Sequence, residues 1–339
     1  MSTVTDLGTL GGPNSAAAAI NTQSVIVGSS ETSSGTSAAV IWPQGIAPPV
    51  ALPVLSNTGN SVATALTNSA TPQVVGAAET GNGNSVAVLW TPNPNGSYTI
   101  SSLGTLGGNN SVALGINNAS SPQIVGTSEV PGGITTAFVW QNGIMTALPP
   151  LAANLNTAAL KINLQGQIVG LAETASGATH AVTWQSTAGV YTIQDLGTLP
   201  GGKNSSASDI NNGGANSASI VGTSENATGA SQAFIIQGGT SSALTALVAG
   251  LNSSASAVVL ASSTLYVVGS VELNTGAVHA VVWESNSSGQ IGSAIDLGTL
   301  PNGLNSTASD IASVGGTPVA VGSSETSTGA SHAVVFANF

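Results

Sequence analysis

Seven of the eight glutamates of this 339-residue chain, Glu31, Glu79, Glu129, Glu173, Glu225, Glu272 and Glu325, stand 44 to 53 residues apart, each with Gly three positions before it and Gly four positions after. Ala follows at plus eight in every copy. Plus eleven holds Trp42, Trp90, Trp140, Trp184, Ile236, Trp283 and Phe336, so all five tryptophans occupy one position of the repeat. The stretch V-G-x-x-E-x-x-x-G-x-x-x-A-x-x-W contains no insertion or deletion in any copy, whereas the segments between copies vary in length. A fixed period of this size identifies an array of one supersecondary unit, with a rigid part and variable loops.

The rigid part reads as a β-hairpin. Residues 24–32 and 36–42 are rich in Val, Ile, Ser and Thr and are separated by Ser33-Ser34-Gly35, which suits a three-residue loop whose last position is left-handed. Pairing Thr32 with Thr36 puts Glu31 opposite Ser37 and Gly28 opposite Val40, where the ring of Trp42 can lie over the glycine. Upstream of the hairpin sits an alternating stretch such as residues 111–116 or 205–210, and downstream a segment ending in Asp195-Leu-Gly-Thr-Leu199 or Asp296-Leu-Gly-Thr-Leu300.

Four strands per repeat and seven repeats predict an all-β, seven-bladed β-propeller forming a single domain over residues 1–339. The chain begins with one outer strand too many and its seventh copy stops after three, so residues 1–10 are expected to close the last blade and remove the open edge. The repeat units are placed at approximately 11–51, 52–101, 102–147, 148–194, 195–246, 247–295 and 296–339. Copies one, three, five and seven carry L-G-T-L, whereas two, four and six read Leu52-Pro-Val-Leu55, Leu148-Pro-Pro-Leu151 and Leu247-Val-Ala-Gly250. With an odd number of blades two of the first kind meet at the seam, which is therefore expected to differ from the other interfaces. An open solenoid of the same hairpins is the alternative, disfavoured by the extra first strand.

Composition narrows the function. Only Lys161 and Lys203 are positive against 13 acidic residues, a formal net charge of -11, so no surface can neutralise phosphates and nucleic acid is an unsuitable partner. Zero Cys excludes disulfides and thiolate chemistry. No apolar run approaches the roughly 18 residues of a membrane-spanning helix and no signal peptide opens the chain, so a soluble chain is expected, with any export signal removed or outside it. A surface of Ser, Thr, Asn and Gly with little charge favours neutral hydrogen-bonding partners and close packing of identical subunits into an oligomer or filament.

The combination D-L-G-T-L-G-G, S-x-A-x-x-I-N, V-G-x-S-E-T and H-A-V-x-W resembles the HAF-repeat family of bacterial extracellular repeat proteins over essentially the whole chain. The H-A-F triplet itself is represented by His180-Ala-Val, His279-Ala-Val and His332-Ala-Val, with Phe138 and Phe234 following Thr136-Ala and Gln232-Ala. The resemblance implies an extracellular or cell-surface location and no common chemistry.

Two groups of residues are candidates for binding. Glu31, Glu79, Glu129, Glu173, Glu225, Glu272 and Glu325 are expected on one face with the G-T-L-G-G loops, either as an acidic crown able to take Ca²⁺ or as acceptors for backbone N–H groups that fix blade to blade. Asp209 and Asp310 fall in the innermost strands of blades five and seven, in place of residues such as Ala18, Gly115 and Val259, where they could form an acid and base pair or be solvated by channel water. No His, Arg or nucleophile is evident at a comparable position. The three histidines share one repeat position on separate blades and are expected to pack or hydrogen-bond locally. The tryptophans are expected in blade packing rather than on sugars, and the sequons at Asn204, Asn226, Asn252 and Asn305 are weak signals in a chain this rich in Asn, Ser and Thr. The expected function is thus a non-catalytic extracellular or surface module binding glycan, protein or surface material, with no cofactor beyond Ca²⁺. The alternatives are a self-assembling fibre, tube or layer subunit, and a hydrolase or lyase with a channel site.

Overall fold

In the first hairpin Glu31 pairs with Ser37 and Gly28 with Val40, the register expected from the loop. Gly35 closes the turn at φ +83°, and its N–H donates to Thr32 O at 2.9 Å. The equivalent turn glycines, Gly83, Gly133, Gly177, Gly229, Gly276 and Gly329, have φ between 79° and 84°, a conformation that a side chain disfavours. The computed structural model describes residues 2–45, 48–56, 59–213 and 217–339.

The glycine three positions before each glutamate has a different cause. In every blade the innermost strand carries a β-bulge, between Ala17/Ala19 in the first and Ala159/Lys161 in the fourth. Beside it the backbone of that strand closes onto the glycine. A Cβ built on Gly28, Gly76, Gly126, Gly170, Gly222, Gly269 or Gly322 would lie 1.9–2.0 Å from a carbonyl oxygen of the innermost strand. The close neighbour of Gly28 is therefore backbone, Ala16 O, and not the ring of Trp42, which stands opposite Ile26.

Seven four-stranded antiparallel sheets result. The first contains Gly11–Ile20, Ile26–Thr32, Ser37–Trp42 and Val50–Ala51, innermost to outermost. The seventh contains Ser306–Val314, Thr317–Glu325 and Ser331–Ala337, completed by Thr3–Asp6. Thr3 pairs with Ala337 and Asp6 with Val334, so the N-terminal strand closes the ring. No α-helix occurs among the described residues. The fourth strands Tyr98–Gly104, Val190–Gly197 and Ile295–Gly298 belong to blades two, four and six, so those blades end a few residues later than 101, 194 and 295.

Blades are joined by a repeated pair of side chains. Each innermost strand is entered through Asn followed by Ser or Thr, from Asn14-Ser15 to Asn305-Ser306. The hydroxyl accepts the N–H of the plus-eight alanine of the preceding blade at 2.8–3.0 Å, in all seven interfaces. The Asn Oδ1 accepts the N–H two residues earlier, from Ser37, Ser85, Thr135, Thr179, Ser231, Val278 and Ser331, also at 2.8–3.0 Å. The alanines themselves are fully buried.

Apolar packing fills the space between. Trp42, Trp90, Trp184, Trp283 and Phe336 are fully buried, and the four indole N–H groups donate to backbone carbonyls, such as Trp42 to Leu7 O at 2.9 Å. In blades three and five Phe138 and Phe234, two positions earlier, supply the buried aromatic ring. The alternation of L-G-T-L also has a partner: Leu10, Leu106, Leu199 and Leu300 each donate their N–H to a buried serine, Ser30, Ser128, Ser224 and Ser324, while blades two, four and six have Ala78, Ala172 and Val271 there. At the seam, blades seven and one keep the Asn-Ser pair.

Two glycine substitutions in one blade should separate these causes. Gly177→Ala meets no atom within 4 Å but retains φ +82°, and should cost about 1 kcal/mol. Gly170→Ala places its Cβ 1.9 Å from Ala158 O and should cost about 3 kcal/mol or more. Thermal unfolding midpoints of the two variants check the order, and equal losses would refute the bulge contact.

Candidate functional site: the central channel

The glutamates stand on the face of the hairpin turns. Six of them accept a hydrogen bond from the side-chain amide of the blade's own entering asparagine, Asn14, Asn60, Asn110, Asn156, Asn204 and Asn252, at 2.8–3.0 Å. Glu325 accepts the backbone N–H of Leu304 at 3.3 Å. The asparagine bond holds the carboxyls of Glu79, Glu129, Glu173 and Glu225 below the ordinary carboxylate value. Each of the six carboxylates thus orients an asparagine whose oxygen grips the preceding blade. Among the described residues no group of three or more His, Asp or Glu is placed to hold a metal ion. The sequons at Asn204 and Asn252 have their side-chain amides committed to this contact, and Asn305 Oδ1 takes the N–H of Val278.

The histidines each meet an aspartate of the fourth strand beside them. His180 Nδ1 lies 2.9 Å from Asp195, His279 Nδ1 2.8 Å from Asp296, and His332 Nδ1 2.8 Å from Asp6. The last pair joins the two ends of the chain. Blades with Ala38, Val86, Thr136 or Gln232 in the histidine position lack the aspartate, a covariation within the repeat that sequence reading could have found.

A cavity of about 670 Å³ opens along the ring axis, on the face opposite the glutamates. It is lined by the C-terminal ends of the innermost strands. The position just after each bulge is Ala19, Ala65, Gly115, Lys161, Asp209, Ala257 and Asp310, each paired with the Val before the repeat glycine. The counterparts of the two aspartates are therefore Ala19 and Ala257 rather than Ala18 and Val259, as aligning Ser15, Ser205 and Ser253 at the start of the strand also gives. Lys161 occupies the same position in blade four, and sequence reading missed it. Setting Thr-Ala-Ala-Leu-Lys161-Ile beside Ser-Ser-Ala-Ser-Asp209-Ile would have revealed it.

The two aspartates also stitch blades together. Asp209 Oδ2 accepts the N–H of Val258 in blade six at 2.8 Å, and Asp310 Oδ2 accepts that of Ile20 in blade one at 3.0 Å, across the seam. The seam shares this bond with the interface of blades five and six, so it does not set the seam apart from every other interface. Both side chains line the cavity, as does Lys161. The Lys161 ammonium makes no hydrogen bond and has no carboxylate within 4 Å among the described residues. Burial opposes its charge, yet the fields of Asp310 and Asp209 outweigh burial and hold its pKa above the ordinary value.

Around the mouth runs a rim of asparagines. Asn21 donates to Thr67 O and Ser69 O at 3.0 and 2.7 Å, Asn163 to Asn211 O at 3.1 Å, and the N–H of Leu164 to Asn212 Oδ1 at 2.9 Å. Blades six and seven replace this rim with longer hairpins, linked by Ser262 to Gly316 O at 3.0 Å. Leu164 and Leu260 stand exposed on the cavity edge.

No family model and no curated protein matches this chain. Among solved structures it is similar to a sialidase of Trypanosoma rangeli in complex with sialic acid, at 11% identity and a TM-score of 0.47, covering 99% of this chain and 58% of that one. A second is a prolyl endopeptidase, at 12% identity and a TM-score of 0.57, covering 95% of this chain and 47% of that one. The chain thus spans about half the length of these structures. Such identities speak to the fold alone. The prolyl endopeptidase corrects one expectation: this fold occurs in an enzyme, so the exclusion of catalysis drawn from the sequence does not stand.

Burial is the largest influence on Asp209 and pushes its carboxyl up to about 6, against Lys161 and the N–H groups of Val258 and Ile210. A pKa raised on folding means that the folded chain binds the proton more tightly than the unfolded one. Asp209 therefore disfavours the fold above about pH 6, and this penalty disappears as the pH falls through 6 towards 4. With the solvent of the channel mouth taken into account, the effect should amount to about 1–2 kcal/mol. Urea unfolding of the native chain and of Asp209→Asn between pH 4 and 7.5 tests it: the difference between them should shrink at low pH, and a parallel pair of curves would refute it.

Proposed function

We propose that the channel mouth binds the end of a saccharide and that Asp209 supplies a proton to it. The observation that carries this reading is the convergence of Lys161, Asp209 and Asp310, at one repeat position of three blades, on a single cavity. Its volume of about 670 Å³ lies within the range of about 300–1,000 Å³ common to small-molecule sites. Carboxylates accept hydrogen bonds from hydroxyl groups, and asparagine side chains both donate and accept, which fits a hydroxyl-rich ligand. A carboxyl group with its pKa raised towards neutrality is matched to general-acid work, giving its proton to the oxygen of a breaking bond. Asp310 faces the same cavity as a second carboxyl group, able to accept a proton from water. The resemblance to HAF-repeat proteins supports a site of action outside the cell, where glycans are plentiful.

A panel of neutral hexoses and disaccharides, monitored by saturation-transfer NMR and by product analysis, tests the reading. Wild-type chain should bind and turn over at least one member, with activity falling above about pH 6. Asp209→Asn should lose on the order of 100-fold in turnover while retaining binding within a few-fold. Absence of binding to every saccharide would end this reading, and unchanged turnover in Asp209→Asn would remove Asp209 as the proton donor.

A further inference from the structure

Lys161 is not explained by a hydroxyl-rich ligand alone. Among the described residues it is the only basic one lining the cavity, at a position that four other blades fill with Ala or Gly. Lys161 keeps part of its surface open to solvent, and a charged acceptor that displaced water from its ammonium would gain a charge-assisted hydrogen bond. The two carboxylates whose fields it feels stay more than 4 Å away, each anchored to a backbone N–H of the next blade. That anchoring prevents either from swinging over to neutralise Lys161 without releasing a neighbouring blade, and it leaves a gap that ligand atoms can occupy.

We infer that the ligand carries a carboxylate, received by Lys161, beside hydroxyl groups that donate to Asp209 and Asp310: a sugar acid of the uronate type. This rests on the saccharide reading and narrows it. With a net charge of -11 the chain's long-range field does not draw free anions, so the anionic group must arrive on a molecule held by its other contacts. A doubly charged phosphate would face two carboxylates at once, whereas a single carboxylate matches a single ammonium. The exposed Leu164 and Leu260 on the edge can take the apolar face of a sugar ring.

Among the described residues, Lys161, Asp209 and Asp310 are the titratable groups that line the cavity from any blade. Arrival of an anion raises the proton affinity of the carboxyl group beside it, so binding should be accompanied by proton uptake at Asp209.

Calorimetry with glucuronate, galacturonate, glucose, galactose and glycine, at pH 5.5 and 7.5, tests the inference on the full chain and on Lys161→Met. A uronate should bind on the order of ten-fold tighter than its neutral parent sugar, more so at pH 5.5 than at 7.5, and Lys161→Met should erase that preference while keeping weak neutral binding. Where Lys161→Met does not fold, Lys161→Gln serves, and Lys161→Arg should restore the preference. Equal affinity for uronate and neutral sugar overturns the carboxylate inference and leaves the saccharide site standing. A preference that survives loss of the ammonium overturns the role of Lys161. Failure of every sugar to bind overturns both readings, as does binding of glycine alone, which would point to an amino acid site.

Discussion

Two backbone N–H groups at the start of each third strand govern how this chain assembles. The fourth strand stops pairing at or just before the plus-eight alanine, as where Val40 pairs with Ala51 and Ala39 O takes the N–H of Leu52. The N–H groups of Ala39 and Ser37 are therefore left without a strand partner, and a buried donor without an acceptor costs about 1–3 kcal/mol. Ser61 and Asn60 of the next blade supply the acceptors. Repeated at every interface, this makes the ring a cycle of mutual satisfaction in which no blade is complete without its neighbour. Hydrophobic packing drives the blades together, while the asparagine and hydroxyl fix their register. The glutamate behind each of six asparagines sets its orientation, which is why a charged residue recurs in an almost uncharged chain.

Much of this was legible in the sequence because repetition substitutes for an alignment. Seven copies sample what a position tolerates, so an invariant Glu, Gly or Ala marks a requirement of the unit itself. The hairpin register followed from one left-handed glycine, and ring closure from the surplus strand at residues 3–6. What remained hidden involved geometry that sequence spacing does not encode. The bulge is invisible because the extra residue appears in every copy, so the repeat glycine was assigned to a tryptophan ring instead of a backbone oxygen. The His–Asp pairs were missed because the two residues lie on adjacent strands at separations of 15 and 17 in the chain, and in one case at its opposite ends.

The same reasoning explains why Lys161 escaped notice in the channel. A search for chemistry by residue type saw two acidic residues and no companion, because Lys161 belongs to another copy and is meaningful only in register with them. On the axis, however, equivalent positions of different blades are neighbours, and three copies that depart from Ala or Gly at one position bring their side chains to one cavity. Symmetry therefore cuts both ways. Positions that obey the repeat hold the ring together, and positions that break it are free to carry a ligand.

Asp209 and Asp310 show that these two uses are not exclusive. Each spends one oxygen on a backbone N–H of the following blade, which fixes the carboxyl group rigidly and at the same time sets the geometry of the channel. An aspartate on a mobile loop would find Lys161 and collapse into an ion pair. Pinned at the innermost strands, the two cannot, and Lys161, Asp209 and Asp310 are held apart around one open cavity. Preorganised charge of this kind is what makes a site effective, because it requires no rearrangement when the ligand arrives. The structural cost is also local: the seam between blades seven and one is held by Asp310 as the interface of blades five and six is by Asp209, so any ligand that draws on the Asp310 carboxyl group also loads the closure of the ring.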